Sequence, residues 1–231
     1  MELEVRAIGE RLHDGARVLD VGCANGWSTV QLAAARDIFI RGVDYVPAMI
    51  DAARARLGQL QGTLRGTVEF DVGDVLALDV VDGTYDAVVC TRVIINLGDW
   101  ERQSRGLAEC VRVLRPDGMF LLSEATLQGW GRLNALRTEW GLPEIGMPAF
   151  NTYLDEERVV AELADRCELV ELVNFASTYY VGSRVFKPLL AQASGAPVDV
   201  ADPMSEWNRW LASLPAAGDY GTQKLFVFRR R

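Results

Sequence analysis

Histidine is nearly absent from this 231-residue chain: His13 is the only one. Chemistry that needs a histidine base or a histidine ligand pair has one residue to draw on. Cysteine is scarce too. Cys23, Cys90, Cys110 and Cys167 lie far apart with no CxxC pair, which argues against a zinc site or a disulfide framework and fits a reducing cytosol. Basic charge is in deficit, with 24 Lys and Arg against 32 Asp and Glu, a net −8. That balance disfavours nucleic acid and anionic membranes as partners, and the one dense basic run is Arg229-Arg230-Arg231 at the end. No apolar run reaches the about 18 residues that a membrane span needs. The start, MELEVRAIGERLHDG, is charged and lacks the apolar core of a signal peptide. These absences predict a soluble cytoplasmic protein with no metal.

With 49% hydrophobic and 24% charged residues the chain is globular in composition, which excludes disordered and collagen-like readings. At roughly 100–200 residues per domain, its length suits one generous domain, or a core with a cap. The first half alternates two periods. Short β-branched runs at 16–22, 38–44, 67–74, 85–90 and 119–125 read as strands. Segments 27–36, 47–60 and 100–114 carry helical spacing, with Pro47 at a first turn and RPDG (115–118) as a turn. Strands alternating with helices predict an α/β fold, a mostly parallel sheet with helices on both faces. After residue 126 the rhythm breaks. Trp130, Trp140, Pro143 and Pro148 predict a broken helix and loop over 126–150. A helix at 154–166, strands at 167–177 and 224–230, and a helix near 204–214 complete the chain. Segments 126–155 and 178–221 read as excursions covering one sheet edge, a helical cap from the C-terminal half rather than a second domain.

The strongest local signal is VLDVGCANG, residues 18–26. A strand runs into small residues that open a helix, so a ligand can approach the backbone and meet free N–H groups. The glycine spacing separates ligands. A dinucleotide fingerprint is GxGxxG, whereas Gly22, Ala24 and Gly26 make GxAxG, preceded by Asp20. A carboxylate there repels a pyrophosphate and attracts a cation. No GK[ST] follows, so a P-loop is excluded.

In this loop and four later motifs the chain resembles the class I S-adenosylmethionine-dependent methyltransferases. GVDYVPAMIDAARAR (42–56), FDVGDVLAL (70–78), YDAVVCTRVIINL (85–97) and VLRPDGMFLLSEA (113–125) follow in family order. The resemblance covers about residues 16–125 and implies a Rossmann-like seven-stranded sheet in a single domain, 1–231, with S-adenosylmethionine as cofactor. Asp44, at a strand end beside the switch point, is placed to accept from both ribose hydroxyls. The resemblance implies that Asp74 takes the adenine amine with the Val75 backbone alongside, and that Asp20 sits near the methionine amino group. Gly22, Cys23 and Ala24 would supply backbone contacts, with Tyr45 and Val46 flanking the adenine or ribose. Thr91, Arg92 and Val93 would lie under the methionine part and face the acceptor. Each has a plainer reading, Asp74 as a turn cap and Tyr45 as packing.

Methyl transfer needs alignment, exclusion of water and, for a hydroxyl or amine, a base. In this fold His13 falls in the turn before the first strand, at the sheet end away from the ligand. Glu124, ending the fifth strand, is the preferred base, with the alternative that it only orients substrate or binds backbone N–H groups. Tyr153, Tyr179, Tyr180 and Trp130 are the candidate acceptor contacts, and Arg92 and Arg184 could bind an acidic group. The chain departs from the family in the about 45 residues between its last two strands, where a short hairpin is usual. Its N-terminal segment of about 15 residues is also too short for a helical lid, so the cover is expected from the C-terminal half. The reading is methyl transfer to a small metabolite, oxygen slightly preferred over nitrogen or carbon, by a monomer or homodimer. RNA or protein acceptors, a non-catalytic cofactor sensor and a dehydrogenase are the rivals.

Overall fold

The computed structural model describes residues 2–60, 62–195 and 205–231. Seven strands form one sheet in the order β3-β2-β1-β4-β5-β7-β6. These are β1 (Arg17–Val21), β2 (Phe39–Asp44), β3 (Thr67–Val72), β4 (Tyr85–Thr91), β5 (Leu114–Ala125), β6 (Cys167–Val173) and β7 (Gln223–Arg230). Only β7 is reversed, pairing antiparallel with both β5 and β6. The short apolar runs of β1 and β4 are buried because helices cover both sides, as parallel sheets require. Strand order reverses between β1 and β4, which both leave from the middle of the sheet, and ligands of such sheets bind at that point.

Alternate residues of each strand feed two cores. Leu19, Val88, Phe120, Phe226 and Phe228 face α4 (Trp100–Arg112) and α6 (Glu156–Leu163). Val18, Ile40, Val89, Leu121 and Val227 face α1 (Glu2–Gly9), α2 (Trp27–Ala35) and α3 (Pro47–Gly58). Helix starts follow the expected chemistry: Asp99 accepts from the Arg102 N–H at 2.9 Å to open α4, and Asp155 does the same for Arg158 before α6. Asp99→Ala is expected to cost about 1 kcal/mol, read as a lower urea midpoint with an unchanged slope. The RPDG turn lies inside β5, where Asp117 takes φ 62 and the pairing with β4 shifts register.

Two expectations are corrected. Segment 126–150 opens on one unbroken helix, α5 (Leu127–Glu139), because Pro143 and Pro148 fall beyond its end and Thr126 caps its start. The N-terminal segment is not idle either: α1 packs beside α2 and inserts Glu4 into the sheet edge near the end of β4. The second excursion holds α7 (Ser177–Val181), a π-helical turn at Gly182–Phe186, α8 (Lys187–Ser194) and α9 (Glu206–Ser213). Met204, the expected start of the last helix, and the rest of 196–204 lie outside the described residues. Both excursions meet in a small cluster of Leu133, Leu142 and Val185 with Tyr180 and Tyr220 against it.

Candidate functional site

The C-terminal ends of β1, β2, β3 and β4 open on one cavity of about 750 Å³. That volume falls within the roughly 300–1,000 Å³ common for small-molecule sites. The loop after β1 is drawn tight under it. The Gly22 and Cys23 N–H groups both donate to the Val43 carbonyl, at 2.7 and 3.0 Å. Gly22 takes φ 73, and a Cβ there would fall 2.1 Å from Val93 Cγ2. Ala24 follows with φ 46, held by its N–H on Asp44 Oδ2 at 3.0 Å. The chain can therefore turn back sharply before α2 begins.

Three carboxylates stand around the opening, and each is positioned by its neighbours. Asp20 is buried on β1 and accepts from Thr29 Oγ1 at 2.6 Å. Burial pushes its pKa up to about 6, against the Thr29 hydrogen bond, while the charges of Asp44 and Glu4 push it further. Asp44 ends β2; its Oδ1 takes the Val46 N–H at 2.9 Å and its Oδ2 the Ala24 N–H, leaving lone pairs toward the cavity. Asp74 caps its own turn through the Leu76 N–H at 2.9 Å, as the plainer reading had it, yet it is exposed and also lines the cavity. Cys23 lies in the same wall with its thiol pKa well above the ordinary value through burial, so it stays a protonated thiol.

Of the cofactor candidates, Asp20, Gly22, Cys23, Ala24, Asp44, Tyr45, Asp74, Val75, Thr91, Arg92 and Val93 all line this cavity. Gly26 does not. Its φ is 71 and a Cβ would meet Phe70 at 2.5 Å, so this glycine serves the packing of the loop on β3. Tyr45 is 74% exposed, a flat wall open to solvent rather than a core residue. Trp27, Met49 and Asn96 also line the cavity. Trp27 follows the loop directly and was legible by position, whereas Met49 and Asn96 carry no motif.

Glu124 takes the second of the two placements expected of it, on backbone N–H groups. It is fully buried and absent from the cavity wall. Its Oε1 accepts from the Val93 and Ile94 N–H groups at 2.8 and 2.7 Å, and its Oε2 has no partner among the described residues. The side chain thus holds the loop after β4 from beneath, because alternation along β5 turns it toward the core of Phe120 and Leu122. The acceptor candidates stand in the cap, outside the cavity walls. Trp130 Nε1 donates to the Ile145 carbonyl at 2.8 Å, and Tyr179 packs edge-on to Tyr180 with ring centres 6.0 Å apart. Burial raises the pKa of Tyr153 and pushes that of Tyr180 up to about 12. His13 is exposed near the start of β1 and does not line the cavity.

The residue that the sequence did not reveal is Glu4. It is 5% exposed, pairs with Arg92 Nη2 at 2.7 Å, and accepts from Ser123 Oγ at 2.6 Å and Gln223 Nε2 at 3.3 Å. Nothing local marks it, because its partners lie 88, 119 and 219 residues away.

Residues 18–118 match a family model described as a methyltransferase domain. A demethylmenaquinone methyltransferase of Deinococcus radiodurans is 37% identical over 138 residues, 58% of this chain and 54% of that protein. The O-methyltransferase rstn1 of Aspergillus nomiae is 32% identical over 124 residues, 53% of each. The chain spans about half the length of these curated relatives. Among solved structures, a SAM-dependent methyltransferase from Methanosarcina mazei superposes with a TM-score of 0.63 at 19% identity, covering 97% of this chain and 96% of that one, a likeness of fold. Motif order, the cavity at the strand switch point and the family match point the same way: over residues 18–118 the chain is similar to a methyltransferase domain.

Proposed function

We propose that the protein transfers the methyl group of S-adenosylmethionine to a small metabolite, with an oxygen acceptor favoured over nitrogen or carbon. The observation that carries this reading is the set of three carboxylates, Asp20, Asp44 and Asp74, spaced along one cavity at the ends of three strands. That donor set suits a ligand with an amine, two ribose hydroxyls and an adenine, and it opposes a phosphate. The left-handed turn at Gly22 and Ala24 brings backbone close to the cavity, where a side chain at residue 22 would displace Val93.

Bound S-adenosylmethionine supplies a methyl group on a positively charged sulfur, open to in-line attack. The chain does the rest. Asp20 takes the amino end from the end of β1, Asp44 the ribose hydroxyls, and Asp74 with the Val75 backbone the adenine edge. Thr91, Arg92 and Val93 form the floor where donor and acceptor meet, and Glu124 fixes that floor through two backbone N–H groups. Fixing the two reactants in line contributes more than any single proton transfer, about 7–11 kcal/mol in well-oriented systems. Oxygen is favoured because relatives include O-methyltransferases and a 27-O-demethylrifamycin SV methyltransferase, while an ajmaline N-methyltransferase also matches. The segments at 126–155 and 178–221 cover the acceptor, with α1 contributing from the other side. The net −8 speaks for a small acceptor over RNA.

Asp44→Ala should weaken S-adenosylhomocysteine binding by about 1–3 kcal/mol through lost hydrogen bonds to the ribose. Calorimetry checks this, with a melting curve to confirm folding; unchanged affinity removes Asp44 from the cofactor site. A sensor would bind the cofactor and form no S-adenosylhomocysteine with any acceptor in a broad panel.

A further inference from the structure

Arg92 follows β4 with φ 56, a left-handed conformation that arginine seldom adopts. Backbone outliers of this kind persist only where their surroundings hold them, and they gather at ligand sites. Here the Arg92 N–H donates to the Ser123 carbonyl at 2.9 Å, and the Arg92 carbonyl accepts from Asn96 Nδ2 at 2.7 Å. The side chain meets Glu4, whose Oε2 accepts from Arg92 Nη2 at 2.7 Å. Arg92 lines the cavity with its side chain 43% exposed, whereas Glu4 is buried.

Glu4 comes from α1, which packs beside α2 and touches β7. Its other oxygen, Oε1, accepts from Ser123 Oγ at 2.6 Å and Gln223 Nε2 at 3.3 Å, so β5 and β7 fix the carboxylate that α1 brings. Ser123 pairs with Thr91 in the sheet and also holds the Arg92 N–H. One residue thus sets both the backbone of Arg92 and the post that its side chain meets. An ion pair with a buried member is a poor source of stability, since apolar side chains of similar volume serve packing as well or better. What the pair supplies is a direction. One guanidinium nitrogen is taken, and the other donors have no partner among the described residues.

The charge of the cavity wall indicates what those donors meet. Its acidic residues are Asp20, Asp44 and Asp74, and its basic ones among the described residues are Arg92 and Arg102. Asp20 and Arg92 belong to neighbouring parallel strands, with Val21 paired to Cys90, so a carboxylate and a guanidinium stand at adjacent strand ends. Arg102 enters instead from the first turn of α4. In the reading above Asp20 receives the amino group of the methionine part, and the carboxylate of that part is bonded to the same carbon. We propose that Glu4 is a positioning residue of the cofactor site: it aims Arg92 so that the guanidinium receives the α-carboxylate of S-adenosylmethionine. Helix α1, which no motif covers, is thereby part of that site. The inference rests on the methyl-transfer reading.

The test is calorimetry on the full chain with three probes. They are S-adenosylhomocysteine, its decarboxylated analogue, which keeps the amine, and methylthioadenosine, which lacks the whole amino-acid end. The wild type should bind S-adenosylhomocysteine at least about ten-fold more tightly than the decarboxylated analogue, the gap expected of a charge-assisted contact. Arg92→Gln should shrink that gap to less than about three-fold. Glu4→Met fills the same space without an acceptor and should shrink it likewise, with methylthioadenosine affinity within about two-fold of the wild type. Glu4→Gln, whose amide oxygen still accepts from Arg92, should keep more of the gap than Glu4→Met but less than the wild type. A melting curve checks that each variant folds, and if Glu4→Met does not, the smaller gap of Glu4→Gln decides alone. No gap in the wild type, or a gap that survives Arg92→Gln, would overturn the proposal. Equal weakening of all three probes by Glu4→Met would mean that Glu4 only holds the fold. Tighter binding of S-adenosylhomocysteine by that variant would mean that Glu4 merely repels the carboxylate, and either result overturns its role. Failure of the wild type to bind S-adenosylhomocysteine or methylthioadenosine at all strikes the methyl-transfer reading instead.

Discussion

Glu124→Ala is expected to destabilise the protein by about 1–3 kcal/mol for the stranded N–H of buried Ile94, with a smaller addition from half-buried Val93. Glu124→Gln is expected to fold well, because the amide oxygen can still accept from both. The two variants also differ in their response to pH. Burial raises the Glu124 carboxyl from its ordinary 4.5 to about 8, opposed first by the Ile94 and Val93 hydrogen bonds. Between those values the native state keeps a proton that the unfolded state has lost. Native protein then binds more protons, so stability falls as pH rises from about 4.5 to about 8 and levels off above. Asp20 adds a smaller loss of the same sign between 3.8 and about 6. Melting curves of the wild type and Glu124→Gln at pH 5 and pH 8 should show a clearly shallower slope in the variant. An equal slope would mean that Glu124 is not the group titrating. A hundred-fold fall in kcat for Glu124→Gln, with its melting temperature intact, would return it to the role of base.

Gly22→Ala should cost about 2–5 kcal/mol, the sum of a left-handed alanine at about 1–2 kcal/mol and overpacking against Val93 at about 1–3 kcal/mol. The contact is severe because the added Cβ falls 2.1 Å from Val93 Cγ2, and Val93 is itself held by Glu124. The loss should appear in cofactor affinity as well as in melting temperature, since both residues line the cavity. Gly15→Ala is the control. Its φ of 84 carries the same backbone strain with nothing within 4 Å of the new Cβ, so it should cost only the first part. Adding Val93→Ala to Gly22→Ala should recover most of the second part. Wild-type cofactor affinity in Gly22→Ala alone would show that the tight loop does not shape the site.

The cofactor half was readable because its signals are local. A buried strand, a glycine that must turn left and a carboxylate at a strand end all occur within nine residues, Val18 to Gly26, and a carboxylate after a strand recurs at Asp44 and Asp74. Even there spacing misled once: Gly26 completes the motif, yet Phe70, 44 positions on, is what demands it. Glu124 shows the second limit. Its position at the end of β5 was clear, but whether it faces ligand or loop depends on where Val93 and Ile94 come to rest. The acceptor end was the least legible. Glu4, Arg92 and Gln223 come from three separate parts of the chain, and no stretch of sequence holds two of them in a recognisable pattern. Helix α1 shows the same blindness, since eight residues ahead of the first strand gave no sign that one of them would be buried 219 positions from its last partner.

The placement of β7 also sets an order of events during folding. Among the described residues β6 has β7 as its only strand neighbour, and β7 stands between it and β5. While the chain emerges from the ribosome, β1 to β5 can pair as they appear, but β6 must wait without a sheet partner until residues 223–230 slot in beside it. Contacts that join distant parts of a chain form slowly, because loop closure precedes the reward. The same strand carries Gln223 to Glu4, so the first helix and the last strand lock together in that one step. The donor side of the cavity should therefore gain protection from hydrogen exchange early in refolding, and the contacts between α1 and β7 last.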